Sequence, residues 1–160
     1  MKAIELKVSD LAKVTGYSRF QLDGFLKKAF AGSFVGKRSG AQRKFSPHDL
    51  LVVAIACEIE RKYQIERSAL ARVTEALYKT LLQPRRANRE ARLLITITPP
   101  VVLYLEPNSP VTEGLVMNLG PLFARVDEYL GASGPCPEAA QALLPFEPAI
   151  ATARQSSRNR

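Results

Sequence analysis

Apolar residues recur at helical spacing over most of the first half of the chain. Leu11, Ala12 and Val14 form one face of a short segment that Ser9 can cap and that Thr15 and Gly16 end, which predicts a helix and then a tight glycine turn. A second start follows at once, with Ser18 capping a segment in which Leu22, Phe25 and Leu26 repeat at helical spacing through Lys28. From Ala31 to Phe45 short apolar-alternating pieces flank a Gly, Lys, Arg, Ser, Gly centre, the pattern of a β-hairpin with a cationic tip. Ser46 and Pro47 then open a third helix, with Asp49 in its first turn, running to about Tyr63. Residues 50 to 57 and Ile59 cover nearly its whole circumference with apolar side chains, so it is predicted to lie at the centre, covered by the others. A fourth helix, from about Glu66 to Leu82, sets Leu70, Val73, Leu77 and Leu81 on one stripe and leaves Arg67, Arg72, Glu75 and Lys79 largely outside it.

Beyond the basic stretch QPRRANREAR the period changes. Strand formers dominate ARLLITIT, VVLYLE and EGLVMNL, separated by Pro99-Pro100 and by the turn PNSP. A short helix follows, with Pro121 near its start, Leu122, Phe123, Val126, Tyr129 and Leu130 apolar, and Gly131 as the expected stop. From Ala132 onward Pro, Ala, Gly and Ser take over, and the end of the chain is expected to be largely disordered. The fold class is therefore α+β, mainly α. It comprises a helical unit carrying a hairpin at 1–82, a basic linker at 83–91, a small strand-rich module at 92–131 and a tail at 132–160.

With 160 residues, 46% of them hydrophobic, the chain can bury one good core with a small second module attached. Its formal charge of +8 is unevenly spread. Residues 1 to 50 hold ten Lys/Arg against four Asp/Glu, residues 51 to 90 eight against five, and residues 91 to 160 five against six. Positive charge gathered at one end points to a polyanionic partner, because neutralising phosphates releases counterions. No run of eighteen apolar residues and no secretory leader is read, so a cytoplasmic location without membrane contact is expected. Cys57 and Cys136 lie in unlike contexts and read as free thiols. His48, in the first turn of the third helix, reads as a solvated residue or a phosphate neighbour. No paired carboxylates, phosphate loop or nucleophile set appears, so neither catalysis nor a cofactor is expected.

Within VSDLAKVTGYSRFQLDGFLK the requirements of a helix-turn-helix are met together: small Ala12 where the helices approach, Gly16 at the turn, and Leu11, Leu22 and Phe25 packing the pair down. The exposed N-terminal face of the second helix then carries Ser18, Arg19, Phe20, Asp23 and Lys27, free to enter a major groove. Arg19 could read guanine bidentately, and Asp23 could accept from cytosine or repel phosphate. Lys37 and Arg38 at the hairpin tip, with Arg43 and Lys44 on its return, complete the candidate DNA-binding set.

The order helix-turn-helix, basic hairpin, Ser-capped helix, further helix resembles the N-terminal domain of the MerR family, through SDLAKVTGYS and QRKFSPHDL and over roughly residues 4 to 82. The resemblance implies a recognition helix with Ser18, Arg19 and Phe20, a wing whose Arg43 and Lys44 touch phosphates, and a dimer on twofold-related half-sites. Excisionase-like winged domains are similar. The chain departs from the family pattern at Asp23 and Gly24, where Arg and an aromatic are usual, and in its strands at 92 to 119 where a long dimerisation helix is usual. It also lacks soft ligands for metal sensing. The expectation is a double-stranded-DNA-binding transcriptional regulator that dimerises through its strand-rich module. The alternatives are an architectural DNA-binding protein and an interaction adaptor in which that module holds a small-molecule or protein effector.

Overall fold

The computed structural model describes residues 4–31, 35–39, 42–83, 85–86, 90–133 and 146–147. Helix α1 (Val8–Thr15) starts one residue before the expected cap. The Lys7 amide donates to the Asp10 carboxylate at 2.6 Å, so a side chain three residues into the helix satisfies the flanking N–H and Ser9 falls inside the first turn. At the other end Gly16 takes φ +74°, and its N–H donates to the Ala12 carbonyl at 3.0 Å. This left-handed ending is readily available only to glycine, and it turns the chain directly into the next helix.

Helix α2 (Arg19–Ala29) opens on a reciprocal cap. The Gln21 N–H donates to the Ser18 hydroxyl at 3.2 Å, and the Ser18 N–H donates to the Gln21 side-chain carbonyl at 2.9 Å. Strands β1 (Lys37–Ser39) and β2 (Gln42–Lys44) pair antiparallel, and Phe45 bridges back to Leu6 through two backbone bonds of 2.8 and 2.9 Å. The hairpin is thereby fastened to the segment that leads into α1. Helix α3 (Pro47–Tyr63) begins with the same device, Ser46 and Asp49 exchanging bonds of 2.8 and 3.1 Å, and Pro47 supplies the first helical residue. Every residue from Pro47 to Cys57 is buried, which makes α3 the central helix. Helix α4 (Arg67–Leu82) lays Leu70, Val73, Leu77 and Leu81 against it.

After the short strand β3 (Arg85–Arg86), strands β4 (Arg92–Ile97), β5 (Pro100–Leu105) and β6 (Leu115–Asn118) form an antiparallel sheet with β4 in the middle. Period-two alternation divides its side chains. Leu93, Ile95, Val102, Tyr104 and Met117 join the same core as α1 to α4, while Leu94, Val101, Leu103 and Val116 alternate with them toward the opposite face. Both edge strands have a carbonyl taken by a helix hydroxyl: Thr80 donates to Val102 at 3.0 Å, and Tyr63 donates to Val116. Ala91, at the junction of the helical and strand-rich segments, is fully buried. Hydrophobic packing is thus continuous across the sequence boundary.

Helix α5 (Gly120–Ser133) packs on α3 and reaches α1, where the Tyr129 hydroxyl donates to Asp10 at 2.6 Å. It passes through Gly131, the expected stop, and ends two residues later. A side chain there would meet nothing within 4 Å, so glycine answers no steric need at that position. Strand β7 (Phe146–Glu147) pairs parallel with β3, so two residues of the segment read as a tail are in regular structure. The rest of that reading, with Cys136 and the hairpin tip Gly40-Ala41, lies outside the described residues.

Candidate nucleic-acid interface

Helix α2 has two unlike sides. Leu22, Phe25, Leu26 and Ala29 are buried, and Ser18, Arg19, Phe20, Asp23 and Lys27 are exposed along the other side. The buried side is held by a polar and aromatic cluster at the helix turn. Glu60 of α3 accepts from the Tyr17 hydroxyl at 2.7 Å and from Arg67 Nε at 2.6 Å. The Arg67 guanidinium lies 5.5 Å from the centre of the Phe25 ring, and Tyr17 and Phe30 meet that ring edge-on, each at 5.9 Å. Burial, reinforced by the bond to Glu60, holds the Tyr17 phenol above its usual pKa of 10, which keeps it a hydrogen-bond donor. Arg61 donates to the Thr15 carbonyl at 3.4 Å and pairs with Glu58, and Arg125 of α5 approaches the same carboxylate at 3.7 Å. Helix α2 is therefore held against α4 and α1, with Tyr17 in the turn before it tied to α3.

The cations of the hairpin are handled differently. The strand register sets Lys37 opposite Lys44 and Arg38 opposite Arg43. On β2 the charged groups have intramolecular partners. Arg43 donates to the Val35 carbonyl, with its Nε at 3.1 Å, and its guanidinium lies 5.5 Å from the centre of the Phe45 ring. Lys44 Nζ pairs with Glu5 at 2.5 Å. Gly36 makes this packing fit, since its φ of +74° is left-handed and a Cβ there would stand 2.7 Å from Phe45 and 2.8 Å from Arg43. Lys37 and Arg38, expected at the hairpin tip, are placed instead on strand β1 by their backbone, because the ladder extends to Ser39, and their side chains lie outside the described residues.

The structure thus places five of the nine candidate residues on one side of α2 and the other four on the β1–β2 hairpin that follows it in sequence. His48 does not belong with them. Only 8% exposed, it packs edge-on against Tyr78 at 4.7 Å, and neither ring nitrogen has a hydrogen-bond partner among the described residues. Burial holds its pKa below the ordinary 6.5, so the expectation of a solvated residue is corrected: the all-apolar helix carries its first turn inside as well. The residues that sequence reasoning passed over are Tyr17, Glu60 and Arg67, which position α2, and Glu5, which neutralises Lys44. Of these only Tyr17 carried a local signal, its place directly after the Gly16 turn.

Among the described residues no helix is long and apolar enough to cross a membrane, and no group of three His, Cys, Asp or Glu is placed to hold a metal ion. No family model matches the chain, and no curated protein or solved structure is significantly similar to it.

Proposed function

We propose that the chain is a sequence-specific double-stranded-DNA-binding transcriptional regulator that works as a homodimer, with α1 and α2 as its helix-turn-helix and the β1–β2 hairpin as its wing. The observation that carries this reading is the two-sided build of α2. Its inner side is locked by the core and the Tyr17–Glu60–Arg67 cluster, and its outer side offers Arg19, Phe20 and Asp23 toward the N-terminal end and Lys27 in the last turn, in the most basic third of the chain. A helix held this way can enter the roughly 12 Å wide major groove of B-DNA without rearrangement. Supporting the dimer, the sheet face away from the core exposes Leu103 at 49% and Val101 at 37%, and a second copy would cover both.

The test uses the full chain. A preferred site is selected from a random 30-base-pair duplex library, and affinity is measured by fluorescence anisotropy at several salt concentrations for the selected inverted repeat, its isolated half and random DNA. Linking two reading heads should favour the inverted repeat over the half-site by about 10²–10⁴. Arg19→Ala should weaken the selected site by about 1–3 kcal/mol and random DNA much less. No enrichment of any sequence would overturn the regulator reading, and equal affinity for the repeat and its half would overturn the dimer.

A further inference from the structure

Among the large apolar side chains left exposed, Phe20 stands apart. It is 88% exposed, whereas Leu82, Val101, Leu103 and Val111 are each exposed by less than half. It is the second residue of α2, in a turn made rigid by the reciprocal bonds between Ser18 and Gln21, so its backbone position is set before any partner arrives. The same bonds fold the Gln21 carbonyl back onto the helix end. Around the helix, Phe20, Asp23 and Lys27 follow at i, i+3 and i+7 and share one outward stripe. Gly24, one turn on at i+4, has no side chain to lie against the ring.

We infer that Phe20 reads the C5-methyl group of a thymine in the major groove, which makes the chain selective for a thymine at one fixed position of each half-site. This deepens the DNA-binding reading above and rests on it. A phenylalanine ring neither donates nor accepts a conventional hydrogen bond, and the thymine methyl is the one apolar group that base edges present in the major groove. The Asp23 carboxylate on the same stripe repels phosphate, so the ring is directed to the floor of the groove rather than along its backbone rim. Apolar wedging between base steps is the alternative use of an exposed Phe, but it belongs to minor-groove binders, and that groove is too narrow, at about 6 Å, to admit α2.

The experiment replaces thymines of the selected duplex one at a time by deoxyuridine, which removes only the methyl group, and titrates each duplex with the full chain and with its Phe20→Ala variant. For the native chain one replacement per half-site should weaken binding about fourfold, the value of one methyl group withdrawn from water. Phe20→Ala should weaken the thymine duplex to a similar extent and should not distinguish thymine from deoxyuridine at that position, closing the double-mutant cycle. Because Phe20 lies outside the core, the variant should melt with the native chain, and the deoxyuridine arm needs no variant at all. Specific binding that is indifferent to every deoxyuridine, or a deoxyuridine effect that persists in Phe20→Ala, overturns the assignment while leaving the DNA-binding reading intact. Failure to enrich any duplex overturns both.

Discussion

Along α2 the side chains of Arg19, Phe20, Asp23 and Lys27 stand clear of the protein, and none of the charged ones makes an ion pair among the described residues. On the neighbouring β2 strand the charged groups are spoken for, Arg43 by the Val35 carbonyl and the Phe45 ring, Lys44 by Glu5. The difference follows from what holds each element in place. The helix is positioned from behind, through Phe25 and the Glu60 cluster, so its outer side chains owe nothing to the fold. A two-stranded hairpin is marginal by itself and needs anchors, and here the anchors are drawn from its own cations. Positive charge in a sequence therefore divides into charge available to a partner and charge consumed in holding the surface that meets it.

The strongest way to break this comparison is to remove the support from behind α2. Phe25 is fully buried and is the ring that Tyr17, Phe30 and Arg67 all contact. Phe25→Ala should destabilise the protein by about 3–5 kcal/mol in urea unfolding, through lost burial and the cavity left behind. A loss under 1 kcal/mol would mean that α2 is held by something other than this cluster.

Gly36→Ala separates the two elements. The left-handed backbone and the close approach of Phe45 and Arg43 should together cost about 2–4 kcal/mol, confined at first to the hairpin. Amide exchange should speed up around Phe45 and Leu6 while α2 keeps its protection. Equal acceleration in both would show that the hairpin and the helix open as one unit.

The parts of this arrangement that could be read in advance are those set by neighbours in sequence. Ser18 with Gln21, Ser46 with Pro47 and Asp49, the stripe from Leu70 to Leu81, and the strands after Arg92 all announce themselves within a few residues. The start of α1 lies two residues before the one that a Ser9 cap implies, because Ser9 and the Asp10 carboxylate compete as caps and only geometry ranks them. His48 looked solvated because a polar residue in a first turn usually is, and its burial depends on Tyr78, thirty residues on. The central place of β4 between β5 and β6, with α4 packed on β4 and β5, is likewise a matter of tertiary packing and not of any local pattern. On α2, residue types placed Ser18, Arg19, Phe20, Asp23 and Lys27 on the exposed side, where the structure has them. What they could not mark is that Arg43 folds back onto Val35 or that Lys44 meets Glu5, contacts that close loops of 8 and 39 residues.

The smallest expected effect is the sharpest probe of that division of charge. Glu5 and Lys44 form an exposed pair, and such pairs contribute only about 0.2–1 kcal/mol to stability. Glu5→Gln keeps the side chain's size, removes the carboxylate's charge and frees the Lys44 ammonium. If Lys44 is held in reserve for phosphate, the variant should unfold within about 1 kcal/mol of the native chain yet bind duplex DNA more tightly at low salt. Its plot of log affinity against log salt should also steepen, by up to about 0.9 for one further phosphate contact. The gain should be the same for selected and random duplexes, because a phosphate contact carries no sequence information. An unchanged slope with unchanged stability would show that releasing Lys44 from Glu5 adds no phosphate contact. A steeper slope that vanishes in Glu5→Gln/Lys44→Ala would identify the lysine as the group released, leaving Arg43 as the cation that belongs to the fold alone.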